Sequence, residues 1–386
     1  MPGPFRRWLR MAAPLLLLAA LSCRWQLVPR AWRGGAGGNT LKADAAALTS
    51  TVVTPHLQAP IAPGRNVLWC ATFQLAWNEV CDLIDEPVRL AGDPPMAAIL
   101  NRRDVTKDCL DSPSYLATAG FIRDGILQRI PRQLTRKFGP GADGRFHPIT
   151  SKRPQDIIAY AYLLKDLRFA TPFEDLDGPL YFGEAPTPVQ AFGTYGVKRD
   201  RLTHGRMRTQ VVVLDYRDPD DLVIELKSSA AGDRLILAKV VPGKTLAATV
   251  AAVTERAKAD AGDTMQVDDV LAVPKMNFDL TRHYDEVTGR RLLPTNPKVA
   301  RDVLILQADQ HIRFRLDEAG SRLESSSTIS IGCSAAPAAD RLMIFNKPFL
   351  ILMQRRDAKA PYFALWVGNS ELLVPSPETA AALTPP

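Results

Sequence analysis

No G-x-S-x-G elbow, no H-E-x-x-H pair, no P-loop and no G-x-G-x-x-G set between strand and helix occurs in these 386 residues. The short motifs of hydrolases, zinc peptidases, nucleotide triphosphatases and dinucleotide enzymes are therefore missing. The five histidines, His56, His147, His204, His283 and His311, are scattered, and no Cys-x-x-Cys offers a zinc cradle. Carboxylates gather in stretches such as Asp218-Pro-Asp-Asp221, where closing a turn is a commoner task than acid or base work. Neither catalysis nor a metal or other cofactor is expected.

Long apolar runs are lacking as well. Residues 11–21 fall well short of the ~20 that a membrane-spanning helix needs. With Arg6, Arg7 and Arg10 before it, this run reads as a secretory signal over residues 1–23. Its end, Ala20-Leu21-Ser22-Cys23, resembles a bacterial lipobox, which would make Cys23 the lipidated first residue of an exported protein. The protein is then either anchored to the membrane of the cell envelope or released to the extracellular side. The formal charge of +7 owes three units to the signal arginines, and no Lys/Arg tract is interleaved with aromatics, so nucleic acid is not a partner. Arg123, Arg129, Arg132, Arg136 and Lys137 read as the solvated face of a helix rather than as a polyanion site. Five cysteines fit an exported chain; with Cys23 consumed, Cys70, Cys81, Cys109 and Cys333 allow three pairings, buried free thiols being the plainer reading.

Residues 24–63 are rich in Gly, Ala and Pro without periodicity and read as a flexible tether. Residues 64–376 form the folded domain and 377–386 a tail. Leu68, Phe73, Leu75, Ala76, Val80, Leu83 and Ile84 recur at helical spacing, which predicts a buried helix opening near Asn66 and stopped by Pro87. A second helix is expected over 115–137, a strand over 157–164, a three-stranded meander over 210–215, 222–226 and 234–241, a helix over 246–258 and a strand over 270–278. A strand over 312–316 is followed by a turn at Asp317-Glu-Ala-Gly320 and about 28 residues of connection before the strands at 349–353 and 362–367. Connections that long are uncommon in a compact domain unless they do something.

Phe345-Asn-Lys-Pro-Phe-Leu-Ile-Leu-Met353, followed by Ala360-Pro-Tyr-Phe-Ala-Leu-Trp-Val367, resembles the C-terminal hairpin of the serpin family. Asp317-Glu-Ala-Gly-Ser321 resembles the hinge before its reactive loop. Val273-Pro-Lys-Met-Asn-Phe278 with His283-Tyr-Asp-Glu-Val287 resembles its strand-then-helix segment, and residues 169–173 stand where it has Trp-x-x-Pro-Phe. From about Asn66 to Pro375 the chain thus resembles a divergent, bacterial-type serpin.

That resemblance implies an α+β fold of three mainly antiparallel or mixed sheets, a reduced set of helices and an exposed reactive-centre loop over residues 321–344. In inhibitory members a protease cleaves the loop, becomes acyl-linked to it, and is distorted as the cut loop inserts into the main sheet. Carried over, Glu318, Gly320, Ser321 and Leu323 form the hinge, Ser334 and Ala335 flank the bait bond, and Cys70, Phe73, Ala161 and Gln310 occupy the region where the sheet opens. The target would be a small-residue-specific serine protease, or a cysteine protease, met by a monomer. The alternative is a non-inhibitory serpin-fold module that binds a partner or serves the envelope. As a strand, Ser321, Leu323, Ser325, Ser327, Ile329, Ile331 and Cys333 would share one face, and the other would be polar, which suits entry into a sheet with one buried face. Leu323 and Glu324 depart from the small residues that inhibitory members keep past the hinge.

Overall fold

The computed structural model describes residues 40–147, 153–194, 201–258, 262–322 and 341–377. The C-terminal hairpin, β20 (Phe349–Arg355) and β21 (Phe363–Val367), is apolar on both faces and lies in the interior of an eight-stranded sheet. To one side run β13 (Asp233–Lys239), β12 (Asp221–Leu226), β11 (Val211–Asp218) and the short edge β14 (Asp263–Thr264), with β11, β12 and β13 forming the expected meander. To the other run β3 (Asn66–Cys70) and β2 (Thr51–Thr54).

A five-stranded sheet packs against this one in the order β1 (Leu41–Asp44), β16 (Met276–His283), β17 (Asp309–Asp317), β18 (Gly320–Arg322) and β6 (Asp166–Arg168). Phe278 of β16, Phe314 of β17 and Phe363 of β21 join the two layers, with ring centroids 5.6 and 4.7 Å apart. β4 (Tyr115–Phe121) and β5 (Ile157–Leu163) form a separate two-stranded antiparallel sheet roofed by the intervening α3 (Ile126–Phe138), whose Ile126, Ile130, Leu134 and Phe138 bury against Leu116. The third sheet comprises β19 (Leu342–Ile344), β15 (Val270–Pro274), β10 (Ala191–Gly193) and β7 (Glu174–Asp175), and β8 (Leu180–Phe182) pairs with β9 (Thr187–Val189). The described helices are α1 (Thr72–Ile84), α2 (Pro95–Leu100), α3, α4 (Arg201–Arg208) and α5 (Leu246–Arg256). The architecture is α+β with three principal sheets and few helices, as expected.

Four expectations need correction. Asn66–Cys70 is a strand rather than the opening of the buried helix; Asn66 is fully buried, its Oδ1 accepting from the Gly368 and Asn369 amides. The helix expected over 115–137 is β4 followed by α3, the change falling at Gly125, whose φ of +71° breaks the chain direction. The strand over 270–278 is two strands in different sheets, divided at Lys275. The tether reading fails for residues 40–63: β1 pairs in parallel with β16 and β2 with β3. Glu371 fastens the link between them, accepting from the Thr49 and Ser50 amides and from the Thr49 and Thr51 hydroxyls. Parallel partners and a carboxylate so distant in sequence leave no local pattern to read. Residues 24–39 and 378–386 lie outside the described residues.

Candidate functional site

At Asp317-Glu318-Ala319-Gly320 β17 turns back on itself. Gly320 allows it, having φ +135°, and a Cβ there would collide with the Leu167 carbonyl and the Arg168 backbone. The returning strand, β18, pairs on both sides at once: Ser321 stands opposite Leu316 of β17 and Leu167 of β6. Ser321 is 1% exposed and its hydroxyl lies 3.9 Å from the Met353 sulfur, so this side chain faces the core.

β17 and β5 both continue past this short wedge, and among the described residues no ladder joins them. Between them lies a cavity of about 400 Å³, lined by Ala161 of β5, Gln310 and Phe314 of β17, and Ser321 of the wedge, with Cys70 contributing from the end of β3 and Phe73 from the start of α1. The four residues expected where the sheet opens, Cys70, Phe73, Ala161 and Gln310, are thus brought together with Ser321 around one space.

Gln310 ties β17 to the turn before α1. Its Nε2 donates to the Cys70 carbonyl (3.0 Å) and to Thr72 Oγ1 (2.8 Å), while its Oε1 accepts from the Tyr284 hydroxyl (2.7 Å). Tyr284 in turn packs on Phe73, ring centroids 4.1 Å apart, and its burial drives the phenol above its ordinary range. Burial also pushes up the Cys70 thiol, and takes Cys109 to about 12, so neither is a poised nucleophile.

The described residues on either side of positions 323–340 are held by charges at the two ends of β15. On the entry side the buried Lys275 ammonium binds Glu318 Oε2 (2.6 Å) and also Asp175. Burial opposes its charge, but the two carboxylates outweigh that and hold the Lys275 pKa up. On the exit side Asp269, buried at the head of β15, takes a two-pronged contact from Arg341 Nε and Nη2. Beside the entry pin, burial and the neighbouring Glu318 raise the Asp317 carboxyl to about 6 despite its contact with Arg315.

Leu323, Ser334 and Ala335, like Cys333 and the lipidation candidate Cys23, lie outside the described residues. Among the described residues no helix is long and apolar enough to cross a membrane.

No protein-family model and no curated protein matches this sequence. Solved structures do. The chain is similar to thyroxine-binding globulin in complex with thyroxine, at 10% identity over 80% of this chain and 94% of that one, with a TM-score of 0.47. It is similar to Serpin48 of the insect Tenebrio molitor at 10% identity, over 79% and 92% of the two chains, TM-score 0.42. Human glycosylated kallistatin follows at 13% identity, over 80% and 92%, TM-score 0.45. The likeness is to serpins.

Sequence reasoning missed Lys275, Tyr284 and the Asp269–Arg341 pair. Lys275 carried a signal, a lone cation inside the apolar Val270–Phe278 run, where an ammonium must find a carboxylate. Asp269 and Arg341 are 72 positions apart and carried none.

Proposed function

We propose that the chain is a serpin-like protease inhibitor that presents residues 321–344 as a bait loop, is cleaved near Ser334–Ala335, and traps the protease by loop insertion. The observation that carries this reading is the wedge: Gly320–Arg322 is already paired between β17 and β6 and leads toward the cavity that separates β17 from β5. Extending that strand by its own alternation would send Leu323 and Ser325 to the core side, following Ser321. Backbone pairing on both edges at about 1 kcal/mol each is the driving force, and the mixture of Ser, Thr and Ile that follows suits one buried face. Leu323 is the obstacle, since overpacking costs about 1 to 3 kcal/mol and would slow entry.

Small residues at the bait bond fit a protease with a shallow specificity pocket, so incubation with elastase-like and subtilisin-like enzymes should give an adduct that survives SDS, with the loop cut near Ser334. Rapid cleavage by every protease tried, with no adduct, would leave the non-inhibitory binding module as the reading. Export with attachment through Cys23 belongs to the same proposal and predicts that Cys23→Ser releases the protein from membranes; unchanged partitioning excludes the anchor.

A further inference from the structure

His283 is the last residue of β16, which lies between β1 and β17 in the five-stranded sheet, so a side chain there can reach both neighbours. The imidazole does so. Its Nδ1 lies 2.7 Å from Oδ1 of Asp309, directly opposite on β17, and its Nε2 lies 3.6 Å from Oδ2 of Asp44 at the end of β1. The other Asp44 oxygen accepts from the Ala46 amide at 2.8 Å. A carboxylate can only accept, so the charge on the ring decides what this arrangement does. Neutral histidine has one N–H; given to Asp309, it leaves a bare Nε2 facing Asp44. The imidazolium has two N–H groups and answers both strands.

The surrounding charges favour the cation. The Asp309 hydrogen bond, then the charges of Asp309, Asp44 and Asp285, hold the His283 pKa above its ordinary value. Arg282, the adjacent cation, is taken up by Glu286 at 2.5 Å. His311, two residues along β17, does not duplicate the arrangement: burial lowers its pKa, His147 and His283 disfavour its charge further, and its Nδ1 lies 2.9 Å from the Thr281 hydroxyl. The strand that stands to be held is β1. It is four residues long, is paired with β16 along one edge, and buries Leu41 and Ala43 only in part.

We propose that His283 is a proton-operated latch: protonated, it bridges Asp44 and Asp309 and holds β1 on the sheet, and once it is neutral β1 undocks more readily and bares the edge of β16. A bared strand edge is a surface with which another strand can pair. Since the folded imidazole holds its proton more tightly than a free one, the latch is full below about pH 6.5 and is lost as pH rises through the higher folded value. The inhibitor reading is not needed for this, because two strands separate β1 from β18.

The test is amide hydrogen exchange on the full chain between about pH 6 and about pH 8, with β12 as the reference for any global change. Protection factors at residues 41–44 should fall about fivefold across that range relative to β12, a size set by the modest strength of exposed ion pairs. His283→Gln should show the lower protection throughout and no such dependence. Asp44→Asn retains an oxygen for the Ala46 amide and should lower the His283 pKa in an NMR titration. Protection at 41–44 that is independent of pH, an unchanged dependence in His283→Gln, or a wild-type His283 pKa at or below about 6.5 would each overturn the latch.

Discussion

Asp317 is the residue on which the turn at 317–320 closes, its Oδ1 accepting from the Ala319 amide at 3.0 Å. Burial and Glu318 beside it disfavour the charged form, while Arg315 and the Ala319 amide only partly compensate, which places its carboxyl at about 6. An acid whose folded pKa lies above the ordinary value near 4 contributes stability that is full below that value and is lost as pH rises through the folded one. The free energy of urea unfolding should therefore shift in favour of Asp317→Asn over wild type as pH goes from 5 to 7. A difference that stays constant across that window would mean the buried charge costs nothing. Lys275 shows the complementary case: a cation inside an apolar run, tolerated because Asp175 and Glu318 reach it from two other sheet segments.

For the elements, the decisive one is β18, three residues long and paired on both edges. Its entry depends on Gly320, since φ +135° is a glycine region and the space a Cβ would take is filled by the backbone of Leu167 and Arg168. Gly320→Ala should cost roughly 1 to 3 kcal/mol in urea unfolding and speed hydrogen exchange at Ser321 as the wedge loosens. Wild-type stability and protection in that variant would show that the turn into β18 does not depend on the glycine. At the opposite edge β1 covers β16, so the five-stranded sheet exposes no long free edge there.

Across the molecule, two sheet layers are joined through Phe278, Phe314 and Phe363, and among the described residues no ladder joins β5 to β17. On the inhibitor reading, a strand entering between β5 and β17 would pair backbone groups on both flanking edges and so reach a more stable arrangement. A cut within residues 323–340 that lets the segment enter should raise the melting temperature well above that of the intact protein, by differential scanning calorimetry. Cleavage without any rise would favour the binding module over the inhibitor.

By itself the sequence determined the meander, the C-terminal hairpin and the turn at 317–320, because each rests on a local pattern: alternation, apolar runs bounded by turn residues, or a glycine where a turn must reverse; the class of fold came by resemblance. It also named Cys70, Phe73, Ala161 and Gln310, by resemblance, without showing that they share a wall. Tertiary structure alone decided that they meet around one cavity, that residues 40–63 contribute two sheet strands, and that Val270–Phe278 divides at Lys275. Those facts depend on partners hundreds of positions away, Glu371 for Thr49 or Gln310 for Cys70, and neither periodicity nor composition encodes where a distant hydrogen-bond partner will arrive.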